Sequence, residues 1–137
     1  MRCLEELSPW DDPFWTLGPI LTLLDSGAQK SIIGRLEFEK IRPSVPPGDI
    51  ASIHTKVVFA NGRALWSLEE VTLRVRSPRW HASRPGVDYV DILFLIVDVK
   101  GVDAVIGWDH MRSSPMVMGS LLDCASAQGG LQGGGSP

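Results

Sequence analysis

Leu23-Leu24-Asp25-Ser26-Gly27-Ala28 is the stretch on which the fold turns. It ends a short apolar run, Ile20-Leu21-Thr22-Leu23-Leu24, with a carboxylate and two turn-forming residues. A run of that length closed by turn chemistry reads as a buried strand. Asp-Ser-Gly makes a good turn in any protein, so the tripeptide alone assigns no function. The place of the aspartate says more, because a carboxylate at the end of a buried strand is costly unless it is paired or used.

Downstream of this stretch, Ser31-Ile32-Ile33-Gly34 reads as a second short strand. Arg35 to Ile41 sets Leu36, Phe38 and Ile41 among charges, which suits one or two helical turns, and Pro43, Pro46 and Pro47 end them. Ile53 to Phe59 is rich in β-branched residues. Asn61-Gly62 then separates it from Ala64-Leu65-Trp66, a strong hairpin signal because both positions of a two-residue turn favour positive φ. Val71, Leu73 and Val75 alternate with Thr72, Arg74 and Arg76, the pattern of a half-buried strand. Pro78, Pro85 and Gly86 mark 77–87 as a loop. Ile92-Leu93-Phe94-Leu95-Ile96-Val97 predicts a central strand, Lys100-Gly101 a turn, and Ala104-Val105-Ile106 a buried strand ending at Gly107. Trp108 to Arg112 is expected to start a short helix, and Met116-Val117-Met118 to form a late strand.

Several short strands joined by hairpins, without βαβ alternation, point to an all-β barrel or sandwich. The ends differ from this middle. Residues 1–17 carry Trp10, Phe14 and Trp15 and are expected to be a docked N-terminal segment. From Ser126 onward Gly, Ser and Gln dominate, so 123–137 is expected to be a flexible tail.

Composition narrows the function classes. The chain has 137 residues, formal net charge −3, 44% hydrophobic and 21% charged residues. This is room for one ordinary domain and is not the composition of a disordered chain. An acidic balance disfavours nucleic-acid binding through a basic face. No apolar run approaches the roughly 18 residues of a membrane span, and the start Met-Arg-Cys-Leu-Glu-Glu-Leu lacks the apolar core of a secretory signal. An intracellular, non-secreted domain without membrane or nucleic-acid partners is the expectation. Cys3 and Cys124 make no disulfide framework, and His54, His81 and His110 are not at ligand spacing, so no metal or other cofactor is expected. The glycines of 129–135 follow no strand and lack the Lys-Ser/Thr of a phosphate loop.

Three elements recur in order: apolar-Asp25-Ser26-Gly27-Ala28, the hairpin Phe59-Ala60-Asn61-Gly62, and Val105-Ile106-Gly107-Trp108-Asp109-His110-Met111. This order resembles the retropepsins, the aspartic proteases of retroviruses and LTR retrotransposons, and most of all their Ty3/gypsy-like members. The resemblance spans 18–122. It implies a mainly β, acid-protease fold: a closed β-barrel with one or two short helices, one lobe per chain. It implies an aspartic endopeptidase that processes a polyprotein, within a retroelement particle, as a homodimer acting on an extended peptide.

The physics of that chemistry is independent of the resemblance. Two facing carboxylates cannot both ionise, so they share a proton; one acts as base towards water and the other as acid towards the scissile carbonyl. Asp25 is the one aspartate here followed by Ser-Gly, since Asp98, Asp103 and Asp109 are not. The second carboxylate must come from another chain, and a two-fold axis would set Asp25 against its own copy. Asp109 reads instead as a helix cap or a partner for a cation.

In this reading Ser26 would tie the two active-site loops through its hydroxyl, as the resemblance implies. Gly27 would allow a tight turn and close approach of substrate. Ala28 would leave room beside the water. Phe59, Ala60, Asn61 and Gly62 would form the flap, and Ile106 and Gly107 would pack beneath the active-site loop. Trp66 and Trp108 read as core or interface residues. Lys30 departs from the family, as does the long 77–87 loop with Arg79, Trp80 and Arg84. Two other readings stay open: a catalytically silent dimerisation or peptide-binding module of the same fold, and an unrelated β-sandwich. The last requires 23–28 and 104–107 to lie far apart.

Overall fold

The computed structural model describes residues 2–9, 20–59, 61–77, 89–101 and 103–123. The expectations for 10–17, for Ala60, for 78–87 and for the tail from 124 lie outside them. The described residues form a mainly β structure with a few short helices. The strands are β1 (Arg2–Pro9), β2 (Ile20–Asp25), β3 (Ile32–Gly34), β4 (Ile50–Val58), β5 (Ala64–Arg76), β6 (Val90–Val97) and β7 (Ala104–Ile106). The helices are α1 (Arg35–Ile41), α2 (Trp108–Met111) and α3 (115–123), with two 3-10 turns after α1.

The sheet runs β1-β2-β7-β3-β6-β5-β4. Two further pairs, Ser8↔Arg76 and Pro9↔Val75, bring β1 back to β5. The sheet is therefore strongly curled, and its return contact is two residues long where the closed barrel expected from sequence would carry a full ladder. Pairing of β2 with β7 is parallel, Leu24 opposite Ile106, and β3 lies parallel to β6.

Strand alternation divides the apolar residues between two faces. Leu24, Ile33, Phe94, Ala104 and Ile106 point into the main core with Phe38 and Ile41 of α1, Met111 of α2, and Val117 and Leu121 of α3. Ile32, Leu95, Val97 and Val105 form a second cluster, joined by Val57 and flanked by Leu23, Ala28, Ile53, Phe59 and Val99. The helices cover the first face. The second lies on the side towards which the β4–β5 hairpin folds.

Several local expectations are corrected or made specific. Residues 2–9, expected to dock without a stated form, are a strand paired antiparallel with β2. Ala64–Trp66 and Val71–Val75 belong to one 13-residue strand. Met116-Val117-Met118 is helical. The start signal is Ser114-Pro115: the Ser114 hydroxyl accepts the Val117 N–H at 3.4 Å, and proline suits a first helical turn. Val117 and Leu121, one helical turn apart, are both fully buried.

The base of the hairpin is held from the helical side. Arg42 makes a two-pronged contact with Glu69 of β5, at 2.7 and 3.2 Å, and also reaches Glu39. This guanidinium holds the Glu69 carboxyl below the usual glutamate range, mainly through their hydrogen bonds.

Candidate active site

Asp25 is the last residue of β2 and shares a sheet face with Leu23, so its carboxylate rises beside the second apolar cluster. The turn that follows is tied to it twice. The Gly27 N–H donates to Oδ1 at 2.9 Å, and the Ala28 N–H donates to the Asp25 carbonyl at 3.1 Å. A Cβ on Gly27 would stand 3.2 Å from Asp25 Oδ1, so glycine serves close approach here and not a left-handed turn. Ser26 is half-buried in the turn, and Ala28 packs against the second cluster.

The segment after β7 supports this turn from below. The N–H groups of Trp108 and Asp109 donate to the carbonyls of Ala28 (2.7 Å) and Gln29 (3.1 Å). Gly107 is enclosed by backbone: an added Cβ would meet the carbonyl oxygens of Ala28 and Lys30 at 2.7 Å each. Ile106 is fully buried in the main core. Residues 23–28 and 104–107 are thus direct neighbours, against the unrelated-sandwich reading.

Two residues that the sequence reading does not place in the site complete it. Ser31 is fully buried; its hydroxyl donates to Asp109 Oδ1 at 2.8 Å and accepts the Gly107 N–H at 3.0 Å. The Ser31 N–H donates to Asp109 Oδ2 at 3.1 Å. Asp109 therefore clamps the loop after Asp25, and Gly107, not Asp109, occupies the N-cap of α2. Nothing local marks Ser31, but a serine directly before a buried Ile-Ile strand needs a partner. Ser31→Ala leaves the Gly107 N–H without its acceptor. A loss of about 1–3 kcal/mol in unfolding free energy is expected by denaturant titration, with Ser31→Thr, which keeps the hydroxyl, losing less.

His110 beside Asp109 is pushed below the usual histidine range by burial, with the Asp109 charge opposing, and its Nε2 is buried without a protein partner. Lys30 is exposed, and its carbonyl, not its ammonium, is what packs against Gly107.

The hairpin forms as expected, with a different turn. Phe59 N–H donates to the Arg63 carbonyl at 2.8 Å and Gly62 N–H to the Phe59 carbonyl at 2.9 Å. Gly62 sits at φ +83°, and Asn61 Oδ1 accepts the Arg63 N–H at 3.0 Å. Asn-Gly thus ends a longer loop with glycine in the left-handed position, the three-residue type of hairpin in place of a two-residue turn. The hairpin supplies Ile53, Val57 and Phe59 to the cluster that flanks Asp25. Trp66 is 54% exposed, stacked on His54 at 4.2 Å, and Trp108 is 44% exposed; neither is a core residue.

One more side chain reaches Asp25. Arg2 lies opposite it in the β1–β2 register, and Arg2 Nε donates to Asp25 Oδ2 at 3.1 Å. Among the described residues no group of three or more His, Cys, Asp or Glu is placed to hold a metal ion, and no helix is long and apolar enough to cross a membrane.

No protein-family model and no curated protein sequence matches the chain. Among solved structures, it is similar to the retroviral protease-like domain of Ddi1 from Leishmania major, at 16% identity and TM-score 0.49, over 82% of this chain and 76% of that one. It is also similar to the EIAV protease in complex with an inhibitor, at 13% identity and TM-score 0.48, over 82% of this chain and 85% of that one.

Proposed function

We propose that the chain is a retropepsin-type aspartic endopeptidase whose working form is a homodimer, a closed two-lobed acid-protease assembly with one Asp25 from each copy. The observation that carries this reading is the placing of Asp25. It is a carboxylate at a strand end, fixed by the Gly27 N–H, seated on a buttress formed by Gly107 and Asp109, and facing the apolar side of a hairpin. Among the described residues no second carboxylate is hydrogen-bonded to it to share a proton. A second copy across a two-fold axis supplies one.

In the assembled site a water lies between the two Asp25 carboxylates. The ionised one takes a proton from the water, and the oxygen attacks the scissile carbonyl. The protonated one delivers its proton to the carbonyl oxygen as the tetrahedral intermediate forms. Collapse of that intermediate breaks the C–N bond: the aspartate that took the water proton gives it to the leaving amine, and a hydroxyl of the gem-diol returns its proton to the other aspartate as the carboxylic acid product forms, which restores the shared-proton pair. Ser26 ties the paired loops, and Ala28 leaves space beside the water.

The peptide lies extended as an added strand between hairpin and floor, with its side chains against the cluster that includes Ile32, Val57, Phe59 and Val105. Apolar side chains flanking the cleaved bond follow from that lining. The hairpin tip 59–62 closes over the peptide and excludes bulk water. Polyprotein processing in a retroelement particle of Ty3/gypsy type is the setting this chemistry fits.

A second reading, a silent dimerisation or peptide-binding module, is favoured by one observation: the outer oxygen of Asp25 is taken by Arg2. Cleavage of an apolar peptide library across mildly acidic to neutral pH separates the two. The protease reading expects cleavage by the parent protein and none by Asp25→Asn; a dimeric parent that binds peptides and cleaves none supports the module.

A further inference from the structure

The contact with no part in the proposed chemistry is the ion pair on Asp25 itself. The carboxylate has both oxygens engaged by its own chain: Oδ1 by the Gly27 N–H at 2.9 Å and Oδ2 by Arg2 Nε at 3.1 Å. The first of these belongs to the turn and does not block approach. The second engages the oxygen that the turn leaves open.

The geometry of the pair makes it easy to open. Asp25 is recessed, its side chain 15% exposed, while the Arg2 side chain is 71% exposed. The cation therefore lies over the carboxylate from the solvent side, and its departure disturbs no core residue. Exposed ion pairs are weak, because solvent screens them and two side chains must be held in register. Arg2 is nevertheless not placed by chance conformations of a loose end: Arg2↔Asp25 is the last pair of a six-pair antiparallel ladder, and Leu7 of the same strand is buried in the main core.

We propose that Arg2 is a reversible latch on Asp25. In the single chain its guanidinium covers the carboxylate oxygen that the second copy and the water take over in the assembled site, so that the carboxylate is exposed for chemistry only when the partner lobe displaces Arg2. This rests on Asp25 being the reacting carboxylate of the reading above. The latch limits reaction at Asp25 in the free chain and leaves the fold alone. It also sets a competition at each copy: forming the carboxylate pair requires both guanidinium groups to leave.

The test is the rate at which Asp25 in the dilute full-length chain is esterified by a small alkyl epoxide at near-neutral pH, located by peptide mass mapping. The carboxylate oxygen attacks a ring carbon, the new C–O bond forms as the ring C–O bond breaks, and the alkoxide takes a proton from water. Arg2→Ala is expected to label at Asp25 about two- to fivefold faster than the parent, the span that a weak exposed ion pair can hold. Arg2→Lys, which keeps a cation without the planar fork, is expected between the two.

Circular dichroism and the thermal midpoint confirm that the variants are folded. If alanine loosens β1, Arg2→Gln keeps the length of the side chain and serves in its place. Equal or slower labelling in a folded variant overturns the latch. Labelling does not depend on peptide cleavage. A chain that labels faster without Arg2 but never cleaves retains the latch and loses the protease reading. A chain that cleaves while its labelling ignores Arg2 retains the protease reading and loses the latch.

Discussion

Asp25→Asn is expected to lower peptide cleavage by at least about a thousandfold while leaving the fold in place, since it removes the acid and the base together from a two-fold site. The structural cost is small because an asparagine Oδ1 still accepts the Gly27 N–H that Asp25 receives at 2.9 Å. The substitution also removes the charge from the exposed pair with Arg2, which contributes little to stability. Activity and stability should therefore part company in this variant. The readout is steady-state cleavage of an apolar peptide beside a denaturant titration of the same sample. Residual cleavage near the parent level would remove Asp25 from the mechanism.

Gly107→Ala should act the opposite way, through the fold. The new methyl group would lie 2.7 Å from the carbonyl oxygens of Ala28 and Lys30 and 2.8 Å from the Lys30 carbonyl carbon. All three are backbone atoms, so no rotamer change relieves them. The same peptides accept the Trp108 N–H and flank the Ser31–Asp109 contacts. Moving them dislodges the turn that holds Asp25. A loss of about 3 kcal/mol is expected, or about 10 °C in thermal midpoint for a domain of this size. Gly119→Ala is the control: an added Cβ there meets nothing within 4 Å, and alanine favours a helix. Equal midpoints for the two variants would mean that the 107–109 segment yields easily, and the buttress would lose its role.

How much of the fold and the site is legible in the sequence depends on the range of the interaction. The run 20–24, the alternation of 71–75, the apolar 92–97 and the hairpin signal at Asn61-Gly62 are local patterns, and each corresponds to a strand or hairpin. Asp25 stands out as a costly carboxylate at the end of an apolar run, Gly27 as part of the turn that follows it, and Gly107 as the glycine that ends the run 104–106. The features that escape the sequence have non-local causes. β1 carries no clean alternation and is a strand because its backbone completes the edge of β2 and Leu7 reaches the core. Met116-Val117-Met118 is too short to separate strand from helix by period, and the deciding signal is the cap at Ser114-Pro115. Ser31 and Asp109 are 78 positions apart, and no local spacing predicts that one would hold the other. Arg2 reaches Asp25 only because the register of β1 on β2 puts them opposite. The turn at the hairpin tip differs from the expected one because Asn-Gly serves two turn types, and the Phe59–Arg63 contact selects the longer one.

The central claim is that one active site needs Asp25 from two chains. Mixing parent protein with Asp25→Asn at fixed total concentration, under conditions where both are dimeric and exchange subunits, tests it most directly. If each site needs both carboxylates, an equal mixture retains about one quarter of the parent activity, because only that fraction of random pairs carries two aspartates. A mixture that retains half, falling in simple proportion to the parent fraction, would contradict the account and assign catalysis to the single chain.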